Sequence, residues 1–342
     1  MASLPVSTIF IIVIFTFTLL PATYRSIPFI VLHGISDKCS SSGVKEFTKL
    51  LTNWSGSQGY CVEIGDGSWD SWTMPLMKQT KIACEKVKKM SELSEGYNLV
   101  GLSQGSMIGR GVVEFCEGGP AVNNFISLAG PQAGIASVPL CGSGWICILV
   151  DRLIKLKIYS DYVQEHLAPS GYVKIPTDIR EYIDGCKFLP VLNNEIINRR
   201  NSTYKERFAS LANLVLIMFD QDTVLIPKET SWFWYYPDGT YDTVLPVQQT
   251  TLYTEDWIGL KTLDEAGKVK FINVSGKHLQ ISQSDMKKYI VPYLEDQSSL
   301  MQPMTTEVAS YGWISSIKKL FINQFGSSED QTNALIGMSH LN

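Results

Sequence analysis

Short apolar runs of strand length alternate with helix-patterned stretches along this chain. The run 27–34 (IPFIVLHG) is followed by a helical stretch at 44–54, an apolar run at about 60–64 and an amphipathic helix at 78–91, with Ile82, Val87 and Met90 on its apolar side. The apolar run Tyr97–Leu102 follows, then a small-residue helix to Phe115 and a strand at 124–128 (NFISL). Such alternation predicts a mostly parallel sheet covered by helices on both faces, because parallel neighbours need long crossovers and helices supply them. The alternation lapses at about 135–212, the expected place of an insertion, partly helical, above the carboxyl edge of the sheet. It resumes at Asn213–Phe219 (NLVLIMF) and at 268–274 (KVKFINV), with a closing helix expected at 284–294. No internal repeat is visible.

The run Tyr97–Leu102 leads directly into Ser103-Gln104-Gly105, so Gly101 to Gly105 read G-x-S-x-G between a strand and a helix. A sharp strand-to-helix turn needs strained backbone angles at its Ser and small residues two positions to either side, and it holds the hydroxyl out at the sheet edge as a nucleophile. The bland alternative is a glycine-rich turn with an ordinary capping Ser. A Ser hydroxyl needs a base within hydrogen-bond reach. Of the four His, His340 lies in a polar tail, His166 in the insertion and His33 at the end of the first strand, where it is expected to brace the loop. His278 alone follows a late strand, in NVSGKHLQIS, although a surface-loop His is the competing reading.

The order Ser, acid, His is that of α/β-hydrolases, so the acid should follow a strand between 103 and 278. Asp220 and Asp222 both follow Asn213–Phe219. Asp222 is preferred because two more residues leave room for a turn toward the His, with Asp220 capping the strand end. Backbone N–H groups of Gln104 and Ile35 are the expected oxyanion donors, one after the nucleophile and one in the loop after an early strand.

Composition narrows the partners. The 342 residues carry 29 Lys and Arg against 33 Asp and Glu, a net charge of −4, which offers no cationic excess for a nucleic acid. With 45% hydrophobic residues, disorder of the whole chain is excluded. Residues 9–20 (IFIIVIFTFTLL) fall short of the roughly 20 apolar residues that a spanning helix needs. A signal peptide over 1–24 is therefore expected, cleaved between Ala22 and Ser26, with no stable membrane anchor afterwards, although no Lys or Arg precedes the apolar run. The sequons at Asn53, Asn201 and Asn273 agree with a secretory route; Asn53 and Asn201 are the expected glycan sites, while Asn273, at a strand end, is expected to stay bare. Seven Cys allow three bridges and one free thiol. Cys84 and Cys116 lie on helices flanking one strand, Cys141 and Cys147 bracket the loop CGSGWIC, and Cys39 with Cys61 is a plausible third pair that leaves Cys186 free. Spacing alone does not decide the connectivity, and several could be buried reduced residues.

Leu32 to Ile35 with Asp37 and Cys39, YNLVGLSQG (97–105), PVQQTTLYTEDWIGLKTLDEAGKV (246–269) and GKHLQIS (276–282) together resemble the palmitoyl-protein thioesterases over about 28–294. The resemblance implies an α/β-hydrolase that removes long fatty acyl groups from S-acylated proteins or peptides and from acyl-CoA, in lysosomes or vacuoles of the secretory pathway or outside the cell. It implies a triad of Ser103, Asp222 and His278, choosing Asp222 over Asp220, oxyanion donors at Ile35 and Gln104, and bridges Cys84–Cys116 and Cys141–Cys147. Cys61, Cys186, two of the sequons and the segment after 294 depart from the pattern and leave a third bridge open.

The domain layout expected is thus a hydrolase domain at 25–297 and a loosely attached polar tail at 298–342, with an amphipathic helix at 313–325. A long acyl chain loses about 0.8 kcal/mol for each CH₂ left in water. The apolar stripe of Trp145, Ile146, Ile148, Leu149, Leu153, Ile154 and Leu156 could wall a groove for it, as could Trp232, Phe233 and Trp234, though plain core is the alternative for both. No metal-ligand spacing is present and no cofactor is implied. A carboxylester lipase of the same fold and a ligand-binding protein without turnover are the competing functions.

Overall fold

The computed structural model describes residues 26–136 and 157–295. The signal peptide, the Cys141 and Cys147 pair, the apolar stripe between Trp145 and Leu156, His340 and the tail at 298–342 lie outside the described residues.

Six parallel strands form one sheet: β1 (Phe29–Leu32), β2 (Gly59–Cys61), β3 (Tyr97–Leu102), β4 (Val122–Leu128), β5 (Asn213–Phe219) and β6 (Val269–Val274), in the order β2-β1-β3-β4-β5-β6. Every residue of β1 and β3 is buried, as expected where helices cover both faces. The chain leaves β1 for β2 on one side and returns to β3 on the other. Loops after β1 and β3 therefore diverge and leave a crevice at the carboxyl edge, the position at which α/β sheets place ligands. This is the α/β-hydrolase fold.

Helix α1 (Ser42–Ser55) buries Val44, Phe47 and Leu51, one stripe at helical spacing, and ends at Gly56, whose left-handed backbone (φ 69°) donates its N–H to Thr52 O. A four-residue helix, α2 (Asp70–Thr73), precedes α3 (Leu76–Lys89). The buried face of α3 is Leu76, Gln79, Thr80, Ala83, Cys84 and Val87, and Ile82 and Met90 lie at its margin. This corrects the expected Ile82, Val87, Met90 stripe: α3 lies against α4 (Gln104–Phe115), so small side chains face the close contact.

Helix α4 is buried along nearly its whole length and carries a charge pair that the apolar pattern concealed. Arg110 Nε donates to Glu114 Oε1 at 2.7 Å with both side chains fully buried. The guanidinium also reaches Gln132 O at 3.3 Å and Leu192 O at 2.9 Å, and lies 4.9 and 5.3 Å from the ring centres of Phe233 and Phe208. Each nitrogen of the fork thus has an acceptor and the cation lies near two aromatic rings, which offsets the cost of burying it.

The described part of the insertion is a chain of short helices, Asp161–His166, Ile179–Gly185, Leu189–Leu192 and Ser202–Ala209, with a parallel bridge between Ile135, which follows β4, and Val173. A second long crossover, between β5 and β6, was not foreseen from the alternation; in it Tyr235 pairs with Leu245. Phe233 is core, and Trp232 donates its Nε1–H to Leu216 O at 3.1 Å and packs edge-on to Phe271, so this aromatic run fills space beside β5 and β6. The expected closing helix is shorter, Gln283–Tyr289, and Val291–Tyr293 continues as a 3-10 turn after Ile290.

Disulfides join Cys39 to Cys61, tying the loop after β1 to β2, and Cys84 to Cys116, tying α3 to the end of α4. Cys186 is a buried thiol whose pKa burial pushes up to about 12. Asn53 is exposed on α1, and Asn201 is half-buried, its side chain accepting the Thr203 N–H at 2.9 Å as a helix cap. Asn273 is exposed on the edge strand β6. Among the described residues, no helix is long and apolar enough to cross a membrane.

Candidate active site

Ser103 stands at the turn from β3 to α4 with φ 52° and ψ −119°, a backbone region sparsely populated by any residue other than Gly. Three features hold it there. Its N–H donates to Leu128 O at 2.8 Å. A Cβ on Gly105 would collide with the carbonyl oxygens of Leu32 and His33, and one on Gly101 would come within 2.5 Å of Ser106 Cα. The two glycines of the motif are thus dictated by backbone contact: α4 starts directly against the end of β1.

Two further loops at the same sheet edge converge on Ser103. The loop after β6 delivers His278, whose Nε2 lies 3.0 Å from Ser103 Oγ. The loop after β5 delivers Asp222, whose Oδ2 lies 2.7 Å from His278 Nδ1. Asp222 Oδ1 accepts the N–H groups of Val224 and Leu225 at 2.8 and 3.1 Å, which holds the carboxylate plane in register with the imidazole. An ionised carboxylate only accepts, so Nδ1 carries the ring proton and Nε2 turns a lone pair to the Ser103 hydroxyl. Ser103 is 8% exposed and Asp222 7%, so both side chains lie largely out of reach of water.

Asp220 has a different task. Its Oδ1 accepts the Gly276 N–H at 3.0 Å and its own N–H donates to Val274 O at 3.0 Å, so it clamps the start of the loop that carries His278. Gly276 itself has φ 135°, open to Gly alone, and Leu279 follows His278 at φ 60°.

The loop after β1 runs beside Ser103. A Cβ on Gly34 would sit 3.4 Å from Ser103 Cβ, which places the Ile35 segment against Ser103. Gln104 is the first residue of α4, where an N–H has no partner within the helix and the helix dipole is positive. Among the described residues no backbone group accepts from Ile35 N–H or Gln104 N–H. The other described His are engaged elsewhere. His33 is buried, with Nδ1 2.9 Å from Gly34 O and Nε2 2.7 Å from Glu63 Oε1; His166 is exposed and bonds Tyr162 O within its own helix at 2.8 Å.

Reasoning from sequence missed the supports behind this constellation. The Gln104 side chain donates to Ser71 O at 2.7 Å and accepts from Tyr172 OH at 3.1 Å, and Tyr172 belongs to the insertion. Burial pushes the Tyr172 hydroxyl pKa up, so it remains a neutral donor. Neither Ser71 nor Tyr172 sits in a recognisable motif, and no local signal could have found them.

The family model described as palmitoyl protein thioesterase matches residues 28–278, from the start of β1 to His278. The chain is 36% identical over 277 residues to palmitoyl-protein thioesterase 1 of Caenorhabditis elegans, covering 78% of this chain and 91% of that protein. The chain belongs to the palmitoyl protein thioesterase family. A second family member, palmitoyl-protein thioesterase 3 of Dictyostelium discoideum, is 34% identical over 279 residues, 79% of this chain and 92% of that protein. A lysosomal thioesterase of Mus musculus is 27% identical over 257 residues, 73% of this chain and 81% of that protein. The matched palmitoyl protein thioesterase segment contains all four loops described above.

Proposed function

We propose that this chain hydrolyses thioesters of long-chain fatty acids, palmitate among them, on cysteines of proteins or peptides and on coenzyme A, with Ser103, His278 and Asp222 as its catalytic triad. The observation that carries the reading is His278 standing between Ser103 Oγ and Asp222 within hydrogen-bond reach of both. Family membership supports the thioester class.

In this mechanism Ser103 Oγ attacks the thioester carbonyl carbon while its proton passes to His278 Nε2. The carbonyl oxygen becomes an oxyanion facing Ile35 N–H and Gln104 N–H, where one such donor contributes about 3 to 4 kcal/mol of barrier lowering. Collapse breaks the C–S bond, and the departing thiolate takes the proton from His278. Water then attacks the acyl-Ser103 ester by the same sequence, leaving free fatty acid and Ser103 with its proton restored. Asp222 keeps the imidazole oriented and stabilises its cationic form throughout. These steps need no cofactor.

Replacing Ser103 by Ala should abolish cleavage of a palmitoyl thioester by the purified protein; turnover at the wild-type rate would refute the mechanism. A carboxylester lipase would share the triad, so kcat/KM on matched thioester and oxygen-ester substrates separates the two, and a clear oxygen-ester preference would overturn the thioester assignment. A binding protein without turnover has no need of the intact relay. A lysosomal, vacuolar or extracellular destination, with glycans on Asn53 and Asn201, is supported by the two disulfides, which form in the secretory pathway, and by the lysosomal name of the murine relative.

A further inference from the structure

Ser71, in the four-residue helix α2, touches both sides of the proposed oxyanion site. Its Oγ accepts the Ser36 N–H at 2.9 Å and donates to Ser68 O at 2.6 Å. Its carbonyl oxygen accepts Gln104 Nε2 at 2.7 Å. Next to it, Trp72 Nε1 donates to Ser36 Oγ, so α2 grips Ser36 by backbone and side chain together. Ser71 is 2% exposed and Gln104 1%, which makes these bonds strong relative to competing water.

The geometry explains why such a grip matters. Ile35 N–H and Gly34 C=O belong to one peptide plane, and a plane that follows a Gly can flip at little steric cost. Gly34 O is held on one side by His33 Nδ1 at 2.9 Å and by a long contact from Asp37 N at 3.4 Å. The next plane, Ile35 C=O with Ser36 N–H, is held by Ser71 alone at its N–H end, and Ser36 itself sits at φ 64°, a left-handed conformation that a Ser does not keep unaided. Releasing Ser36 would let the loop relax toward ordinary backbone angles and swing Ile35 N–H away. On the other side, Gln104 is lashed at both ends of its amide, by Ser71 O and by Tyr172 OH, which restrains the first turn of α4 and with it the Gln104 backbone N–H.

We propose that Ser71 is a positioning residue for acyl transfer, which aims Ile35 N–H through Ser36 and Gln104 N–H through the Gln104 side chain. The inference rests on the reading of those two N–H groups as the oxyanion donors.

The test compares wild type with Ser71→Ala and Tyr172→Phe on a palmitoyl thioester and on a palmitoyl trifluoromethyl ketone, which forms a charged tetrahedral adduct with Ser103. Ser71→Ala should lower kcat about tenfold, a part of the 10²- to 10³-fold lost when a donor is deleted outright. KM should stay within twofold, and affinity for the ketone should fall in parallel with kcat. Tyr172→Phe frees only one end of the Gln104 amide and should lower kcat by about threefold with KM unchanged. Ser71→Thr, which keeps the hydroxyl, should recover most of the loss. Rates are read well below the measured Tm of each variant, where a residue serving only to hold α2 in place would shift Tm and leave kcat and ketone affinity alone; that result would overturn the proposal. If Ser71→Ala does not fold, Ser71→Cys, which keeps the side-chain volume but replaces the acceptor for Ser36 N–H by a weak one, decides: wild-type kcat and ketone affinity in that variant sink the proposal. Loss of turnover in Ser103→Ala with normal kcat in Ser71→Ala rejects Ser71 but keeps the triad, whereas turnover in Ser103→Ala rejects the underlying reading itself.

Discussion

Replacing Glu114 by Gln should make the fold less sensitive to pH between acidic and neutral conditions. Complete burial pushes the Glu114 pKa up from its ordinary 4.5 to about 7, outweighing the pull of Arg110 at 2.7 Å. A carboxyl raised in the folded state keeps its proton there while the unfolded chain releases it. Its contribution to stability is therefore complete below 4.5, declines as pH rises, and is lost once pH passes about 7. At 1.36 kcal/mol per pKa unit, the interval amounts to at most about 3 kcal/mol. At roughly 2 °C per kcal/mol for a chain of this size, that is a fall in Tm of up to about 6 °C between pH 5 and pH 7.5. Glu114→Gln has the shape and hydrogen-bonding capacity of the protonated acid and nothing to titrate. It should match wild type at pH 5 within about 1 kcal/mol and exceed it at pH 7.5, as read by thermal and urea unfolding across the range. If Glu114 is instead ionised at pH 5, the variant strands the Arg110 cation and loses about 3 to 5 kcal/mol there. A variant destabilised by that amount at pH 5 would refute the reasoning.

Gly105→Ala drives a methyl into the Leu32 and His33 carbonyls, and backbone cannot yield as a side chain can. A loss of about 3 kcal/mol, at the upper end for overpacking, should appear in urea unfolding, with kcat falling further than the unfolded fraction explains. Asp222→Asn should lower kcat roughly 10⁴-fold while leaving Tm nearly unchanged, since the Asn oxygen still accepts from Val224 and Leu225 but the tautomer of His278 is wrong. Asp220→Ala should lower kcat by freeing the Gly276 end of the His278 loop, and Asp220→Asn, which keeps an acceptor, should restore it. Removing both Cys39 and Cys61 opens a loop of sequence separation 22 and should cost about 3 kcal/mol in unfolding experiments under non-reducing conditions.

Which parts of this molecule were legible follows from how local their causes are. Strands β1, β3 and β5 could be read because a strand buried on both faces is an apolar run whatever else surrounds it. The turn at Ser103 was legible because its strain demands glycines at fixed offsets; strand order pointed to His278 but left Asp220 and Asp222 both open, and only the family resemblance chose between them. The buried face of α3 was misjudged since its contact with α4 favours Thr80 and Ala83 over Ile82, a preference set by a partner helix and not by period. Arg110 hid for the same reason: its acceptors at Gln132 and Leu192 lie 22 and 82 positions away. Asn273 lies on the edge strand β6 with its side chain exposed, which its place at the end of an apolar run did not reveal.

The elbow at Ser103 and the proposed oxyanion site are one packing event. Because Gly105 lets the first turn of α4 lie on the carbonyls that end β1, Gln104 N–H and the Ile35 loop meet beside the same hydroxyl. A bulkier residue at 105 would push α4 from β1 and separate the two donors even with Ser103, His278 and Asp222 in contact. On the proposed oxyanion reading, the motif glycines serve charge stabilisation as much as turn geometry. The strain at Ser103 is borne by contacts from β1, β4 and α4 at once, and the donors borrow their rigidity from those same contacts. Triad chemistry and oxyanion binding should accordingly fail together when the β1 to α4 contact is loosened, and separately when only α2 is altered.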